Sequence, residues 1–199
     1  VFAGRTPDRF DLNPLTRALA RRRAEGGAVA DLTISNPTQV GIEFPEAEIL
    51  GVLNDKRALT YEPEPPGWRG AREAVAAHHA RQGFNANPDR ILLAASTSEL
   101  YGWLFKLLCD PGDAVLVPRP GYPLFDYLAG LEGLRALPYR LDYRHPAGWA
   151  IDLDELMRVA DEQEARAIVV INPNNPTGSY LGEAERRALV EFAASRGIA

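Results

Sequence analysis

"RAIVVINPNNPTG", residues 166–178, joins a run of apolar residues to a turn made of asparagines and prolines. A short apolar run bounded by turn residues is typical of a buried strand. The prolines restrict the backbone beyond it, and the Asn175–Pro176 bond is a candidate cis peptide. The stretch therefore predicts a strand that ends in a rigid turn displaying side-chain amides.

Similar apolar runs alternate with helical patterns along most of the chain. The sequence predicts strands over residues 90–96, 114–120, 134–141 and 166–172. It predicts helices over residues 98–109, 122–133, 152–163 and 183–197. Apolar strands separated by helices indicate an α/β fold with a mostly parallel sheet and helices on both faces.

A segment of helical and extended character precedes this pattern. It contains a predicted helix over 14–25, a strand over 29–34 and a helix over 67–83, with a proline-rich extended loop at 58–67. At the other end, Gly197 ends the last helix where an alternating pattern calls for a further strand. We expect the chain to be the front part of a longer protein.

Composition narrows the classes of function. The 199 residues are 46% hydrophobic and 25% charged, with a formal net charge of -5, which argues against nucleic acid and anionic membranes as partners. The single cysteine, Cys109, excludes an internal disulfide and a cysteine cage for a metal, and no metal site is predicted. No apolar run has membrane-spanning length, and no signal-peptide pattern opens the sequence, so a cytoplasmic enzyme is the expectation.

Ser96, Thr97 and Ser98 lie where the first predicted strand passes into a helix. Ligands of open parallel sheets bind at the carboxyl ends of the strands. Free backbone N–H groups, small hydroxyls and the positive end of a helix dipole suit a phosphate there. The alternative is that these residues only cap the helix.

Two further residues lie at predicted strand ends. Tyr122, in "PRPGYPLF", can stack on a flat ligand ring or simply pack in the core. Asn175 can donate a hydrogen bond to a phenolate-like oxygen or serve only as a turn residue. A phosphate cup, a stacking ring and a fixed amide together indicate a phosphorylated aromatic cofactor.

The motifs "YEPEPPGWRGAREAVAAHHA", "ASTSELYGWLFKLLCDPGDAVLVPRPGYPLF" and "INPNNPTG" resemble those of the class I/II aminotransferases, which are pyridoxal-phosphate (PLP) enzymes of fold type I. The resemblance extends over about residues 30–199. It implies that residues 1–45 contribute to a small domain. It also implies that residues 46–199 form the front part of a large PLP-binding domain, which is incomplete in this sequence.

The resemblance assigns roles to the residues at the strand ends. It implies that residues 96–98 bind the cofactor phosphate, that Tyr122 stacks on the pyridine ring and that Asn175 hydrogen-bonds the ring's 3-oxygen. Tyr61 matches a tyrosine that reaches the phosphate of a neighbouring subunit, which implies a homodimer. The spacing from Tyr61 to Gly67 is one residue longer than the family's usual spacing.

Ser35 stands where many relatives carry a glycine close to the substrate carboxylate. The resemblance implies that Ser35 or Asn36 offers a backbone donor there. Arg69 and Arg72 are expected to be exposed, and the alternative is that they approach the partner subunit.

The implied reaction moves an amino group between an amino acid and a 2-oxo acid. Neither Lys56 nor Lys106 matches the family's Schiff-base lysine, which we expect beyond residue 199. A β-lyase, a decarboxylase and a non-catalytic PLP-binding fragment or regulatory domain remain alternatives. A dinucleotide-binding domain is disfavoured because no G-x-G-x-x-G motif follows a predicted strand.

Overall fold

The computed structural model describes residues 3–6 and 11–199, and these residues form two compact units. The helical unit contains the described residues up to Leu93, except residues 3–6. The sheet unit contains Ala94–Ala199 together with residues 3–6. The domain boundary expected after residue 45 stays a prediction, and residues 1, 2 and 7–10 of that N-terminal segment lie outside the described part.

The helical unit has helices but no strand among its described residues. Its helices are α1, Pro14–Ala24, α2, Glu46–Leu53, and α3, Arg69–Arg81. Short 3-10 turns cover Pro37–Gln39, Lys56–Leu59 and Pro88–Arg90. The predicted helices over 14–25 and 67–83 are confirmed, α2 was not predicted, and the predicted strand over 29–34 is wrong. A strand needs a hydrogen-bonded neighbour, and the described residues of this unit supply none.

Arg72 is buried, which corrects the expectation of an exposed side chain. Arg72 is only 6% exposed. The guanidinium donates to the backbone carbonyls of Gly67 at 2.8 Å and Pro88 at 3.0 Å, and to the Glu64 carboxylate at 3.0 Å. A buried charge requires this degree of pairing. Arg72 therefore fixes the proline-rich loop against α3.

A four-stranded sheet forms the centre of the sheet unit. Its strands are β1, Ala114–Arg119, β2, Arg135–Arg144, β3, Gly148–Ile151, and β4, Ala167–Ile168. The order is β3-β2-β1-β4, in which β1 pairs in parallel with both β2 and β4. The mostly parallel sheet is confirmed. β3 was not predicted, and it pairs with β2 as an antiparallel hairpin.

Helices cover both faces of this sheet, as predicted. They are α4, Thr97–Leu108, α5, Phe125–Leu131, α6, Leu153–Glu162, and α7, Glu183–Arg196. Successive residues of a strand point to opposite faces. Leu116 of β1 accordingly packs with Leu156 of α6 and Phe192 of α7, while Val117 packs with Phe105 of α4 and Phe125 of α5.

Cap residues explain where several of these helices begin and end. Asp152 accepts a hydrogen bond from the backbone N–H of Glu155 at 3.1 Å and begins α6. Gly197 ends α7 in the left-handed conformation, with φ of 67°, which glycine adopts without strain. Among the described residues, no helix combines the length and the apolar character needed to cross a membrane.

The predicted strand over 90–96 is wrong, since residues 91–94 form no regular element and pair with no strand. β1 has β2 on one edge and β4 on the other, so the centre of the sheet offers no free edge. β4 itself is shorter than predicted. One further ladder bond, from the Val169 N–H to the Leu116 carbonyl at 2.9 Å, extends the pairing before the asparagines and prolines interrupt it.

Candidate functional site

The turns that follow β1 and β4 meet at one edge of the sheet. The two strands are parallel, so both end at this edge. The side-chain Nδ2 of Asn174, after β4, donates to the backbone carbonyl of Pro120, after β1, at 3.2 Å. This contact brings the segment carrying Asn175 next to the segment carrying Tyr122.

The turn after β4 is held by its own hydrogen bonds. The Asn174 N–H donates to the Ser179 carbonyl at 2.8 Å, and the Gly178 N–H donates to the Asn174 carbonyl at 2.7 Å. Asn174 Nδ2 also donates to the hydroxyl of Thr177 at 2.8 Å. The predicted cis peptide at Asn175–Pro176 is confirmed.

Asn174 and Asn175 differ in where their side chains are used. Asn174 is 6% exposed and occupied by the contacts above. Asn175 is exposed, and its amide has no hydrogen-bond partner in the part of the chain that the structure describes. An amide on a fixed turn with free donors can bind a ligand oxygen.

The turn after β1 is equally constrained. A Cβ atom added at Gly121 would lie 2.1 Å from the backbone oxygen of Pro118, so the close approach requires glycine. Arg119 forms an ion pair with Asp126 of α5 at 2.7 Å. Tyr122 follows, half-buried, with its ring edge-on to Phe125 at a centroid distance of 5.8 Å.

The first turn of α4 offers donors for an anion. The hydroxyl of Ser96 accepts from the Glu99 N–H at 3.2 Å, and the Glu99 carboxylate accepts from the Ala95 N–H at 2.8 Å. Ser96 therefore serves as the helix cap. The hydroxyls of Thr97 and Ser98 form no hydrogen bond within the described residues, which leaves them available to a ligand.

Aromatic side chains connect α4 to the turn after β1. Tyr101 of α4 contacts Phe125 edge-on, with ring centroids 5.0 Å apart. Burial raises the pKa of Tyr101, and the nearby Tyr122 raises that pKa further. Burial likewise raises the pKa of Tyr139, whose hydroxyl donates to the Val169 carbonyl at 2.9 Å. Tyr101 and Tyr139 are therefore neutral at physiological pH.

The remaining predicted site residues, Tyr61, Ser35 and Asn36, lie in the helical unit. Tyr61 is 91% exposed. Ser35 is exposed, whereas the Asn36 side chain accepts from the N–H of Thr38 at 3.0 Å and from its hydroxyl at 2.7 Å. Asn36 thus caps a short 3-10 turn. The roles predicted for these residues stay predictions.

Asn174 and Tyr101 lie beside the candidate site residues, and the sequence did not single them out. Asn174 stands beside Asn175 between two prolines, and nothing local distinguishes the inward amide from the outward one. Tyr101 lies on the same helical face as Phe105, which reads as ordinary core spacing. Within residues 3–6 and 11–199, no group of three or more His, Cys, Asp or Glu side chains is placed to hold a metal ion.

Comparisons with known proteins identify the family of the chain. The family model "Aminotransferase class I and II" matches residues 30–199. The glutamate-pyruvate aminotransferase AlaA of Haemophilus influenzae is 30% identical over 186 residues, which are 93% of this chain and 45% of that protein. The chain thus spans about half the length of the curated relatives it matches.

Solved structures give the same result for the fold. An alanine aminotransferase from Pyrococcus furiosus superposes with a TM-score of 0.77 at 27% identity, over 92% of this chain and 46% of that chain. A PLP-bound C-S lyase from Staphylococcus hominis superposes with a TM-score of 0.69 at 17% identity, over 86% of this chain and 48% of that one. The second likeness concerns the fold alone.

Proposed function

Because the chain belongs to the class I and II aminotransferase family, we propose that the protein moves an amino group between an amino acid and a 2-oxo acid with PLP as its cofactor. One contact carries the proposal on the structural side. The hydrogen bond from Asn174 to the Pro120 carbonyl brings together the turns of Tyr122 and Asn175, the residues proposed to hold a flat ring.

The free groups at this edge of the sheet fit the parts of PLP. Thr97 and Ser98 have unused hydroxyls at the positive end of the α4 dipole, where a phosphate is stabilised. Ser96 contributes by capping the helix, which fixes the direction of its first N–H groups. Tyr122 presents a ring held edge-on by Phe125, and Asn175 presents an unpaired amide.

These residues position and tune the cofactor. When bound, PLP acts as an electron sink that eases loss of the Cα proton of an amino acid. Asn175 would donate to the ring oxygen and stabilise its negative charge, because a hydrogen bond to a charged form favours that form. Tyr122 would contact the ring, and Thr97 and Ser98 would hold the phosphate. The lysine that carries the cofactor is expected beyond residue 199.

The names of the relatives support a choice of substrates. The relative from Haemophilus influenzae is named for glutamate and pyruvate, and the solved structure from Pyrococcus furiosus for alanine. We infer that this protein exchanges amino groups between glutamate or alanine and the matching 2-oxo acids. Ser35 and Asn36 are proposed to lie near the substrate carboxylate.

The exposure of Tyr61 supports a dimeric assembly. A tyrosine that is 91% exposed on a loop held by Arg72 is well placed to reach another chain. We propose a homodimer in which Tyr61 of one copy binds the phosphate held by the other, and the cytoplasm as its compartment. Tyr61→Phe is expected to weaken PLP binding without changing the sedimentation of the dimer.

Alanine and 2-oxoglutarate, supplied to the purified complete gene product with PLP, test the proposed reaction. We expect a visible cofactor band that changes on adding alanine, and glutamate formed in equal amount to pyruvate. Pyruvate and ammonia released from an S-substituted cysteine, which loses a thiol in the same step, and no glutamate formed from alanine and 2-oxoglutarate, would replace transamination with a β-lyase reaction. A gene product that gives no cofactor band with PLP would leave the binding proposal without support and favour a non-catalytic role.

A further inference from the structure

We propose that Asn174 is a positioning residue of the cofactor site, which holds the turn bearing Asn175 against the turn bearing Tyr122. The inference rests on the proposed function, since it concerns how the PLP ring is held. Asn174 is not expected to touch the cofactor. Its effect on the cofactor is indirect, because it connects the turn after β4 to the turn after β1.

The amide nitrogen of Asn174 is fully used. Its two N–H groups match its two acceptors, the Pro120 carbonyl at 3.2 Å and the Thr177 hydroxyl at 2.8 Å. A backbone carbonyl can only accept, so the Pro120 contact requires the NH2 group on that side and fixes the orientation of the amide. The Thr177 hydroxyl in turn lies 2.7 Å from the Ser179 hydroxyl, which extends the network through the turn.

The amide oxygen of Asn174 gives a second, independent observation. Oδ1 is buried and has no hydrogen-bond partner among the described residues. Burying an unpaired polar oxygen costs stability, so packing alone does not favour asparagine at this position. The use of its NH2 group remains the reason for an amide here.

The two turns have no other side-chain hydrogen bond between them in the described structure. Without the Asn174 contact, the turn after β4 keeps its internal bonds but loses its attachment to Pro120. Asn175 is the next residue along the chain, and Tyr122 lies two residues after Pro120. Loss of Asn174 should therefore move the ring-oxygen donor relative to the stacking ring, and small displacements of this kind weaken a preorganised site.

Two variants of the complete gene product test the proposal. Asn174→Ala removes both donations, and Asn174→Asp keeps the shape but places a carboxylate oxygen against the Pro120 carbonyl. The matched control is Asn172→Ala in the same turn, which removes a different contact, from the Leu181 N–H to Asn172 Oδ1 at 2.8 Å. All three variants remove one amide within three residues of chain.

The readouts are the dissociation constant of PLP from the apo form and the pH midpoint of the bound cofactor's visible band. For Asn174→Ala we expect PLP binding weaker by about tenfold, because the two turns lose their connecting hydrogen bond and the residues that hold the ring are less well preorganised. We also expect the pH midpoint to rise, because a less effective donor at Asn175 stabilises the charged ring oxygen less. Asn174→Asp should show both effects more strongly, and Asn172→Ala should show neither.

Each outcome decides the proposal. If Asn174→Ala lowers the melting temperature but leaves the PLP dissociation constant and the pH midpoint unchanged, Asn174 is only a stabilising residue and the inference is overturned. Equal changes in Asn172→Ala would also overturn it, since any damage to the turn would then suffice. If Asn174→Asp does not fold, Asn174→Ala decides alone. If the unaltered protein binds no PLP, the proposed function fails first, and this inference fails with it.

Discussion

The sheet unit and the helical unit are stabilised in different ways. In the sheet unit, Leu116, Phe125 and Leu156 are all 0% exposed, whereas Leu59 and Leu32 of the helical unit are 88% and 93% exposed. Burial of apolar surface therefore holds the sheet unit. In the described part of the helical unit, local polar contacts centred on Arg72 contribute more to stability than apolar burial does. The candidate ring-binding residues lie on the unit whose core keeps them rigid.

Leucine-to-alanine substitutions on helices give the largest expected contrast between the units. Leu156→Ala in α6 removes a fully buried side chain and should lower the free energy of unfolding by about 3–5 kcal/mol. Leu53→Ala in α2 removes a side chain that is 74% exposed and should change it by less than about 0.5 kcal/mol. Urea denaturation of the complete gene product measures both. A comparable loss in Leu53→Ala would contradict the contrast and reveal that another polypeptide segment covers α2.

Arginine-to-methionine substitutions test the polar network of the helical unit. Arg72→Met keeps the apolar stem but removes the donations to two backbone carbonyls and to the Glu64 carboxylate, so we expect the free energy of unfolding to fall by about 2–3 kcal/mol. Arg69→Met is the control, since Arg69 pairs with Glu73 and Asp89 on the exposed surface, where ion pairs contribute little to stability. Equal effects of the two substitutions, measured by the same denaturation, would show that burial of Arg72 is not what stabilises the loop.

Glycine-to-alanine substitutions sharpen the description of the turn after β1. Gly121→Ala places a Cβ atom against the Pro118 backbone oxygen and should destabilise the protein by about 1–3 kcal/mol, with weaker PLP binding. Gly130→Ala in α5 meets nothing within 4 Å and should stabilise it by about 0.5–1 kcal/mol, because alanine favours a helix over glycine. Thermal unfolding measures the sign of each change. Retention of full PLP affinity in Gly121→Ala would show that Tyr122 does not depend on this tight turn.

The smallest expected effect concerns the acid stability of the helical unit. Hydrogen bonds from the Arg57 guanidinium, and then from the Arg57 N–H, lower the pKa of Asp55 from 3.8 to about 2. Because the pKa of Asp55 is lower in the folded state than in the unfolded state, its carboxylate contributes to the stability of the folded state. This contribution is complete above pH 3.8 and disappears as the pH falls toward 2. NMR titration of the Asp55 carboxyl carbon should give this midpoint. A midpoint near 3.8, or an Asp55→Asn variant with the same acid dependence, would contradict the contact.

Periodicity and cap residues predicted the regular elements of the sheet unit. β1, β2, α4, α6 and α7 follow from apolar spacing together with local signals such as Asp152 and Gly197. Such signals lie within a few residues of the element they define. The same reasoning was wrong for 29–34 and 90–96, because a strand exists only when a neighbour pairs with it, and no local pattern supplies that neighbour.

Some features of the candidate site could also be predicted from the sequence, and others could not. Residue types on the turns after β1 and β4 could be predicted, since the strand ends and the motif lie in the sequence itself. The sequence could not predict that the Asn174 side chain points inward and the Asn175 side chain outward. This difference depends on the Pro120 carbonyl, which is 54 residues from Asn174. The burial of Arg72 was missed for a related reason, as one of its acceptors is 16 residues distant. Side-chain direction is set by tertiary contacts, which spacing alone does not record.

Hydrogen–deuterium exchange of the complete gene product, with and without PLP, tests most directly whether one ligand is held by the turns after β1 and β4 and the first turn of α4. We predict that peptides covering 95–101, 118–124 and 172–180 all become protected when PLP binds, while peptides within α2 and α7 do not change. Protection of only one of the three segments, or protection confined to other parts of the chain, would contradict a shared site at this edge of the sheet.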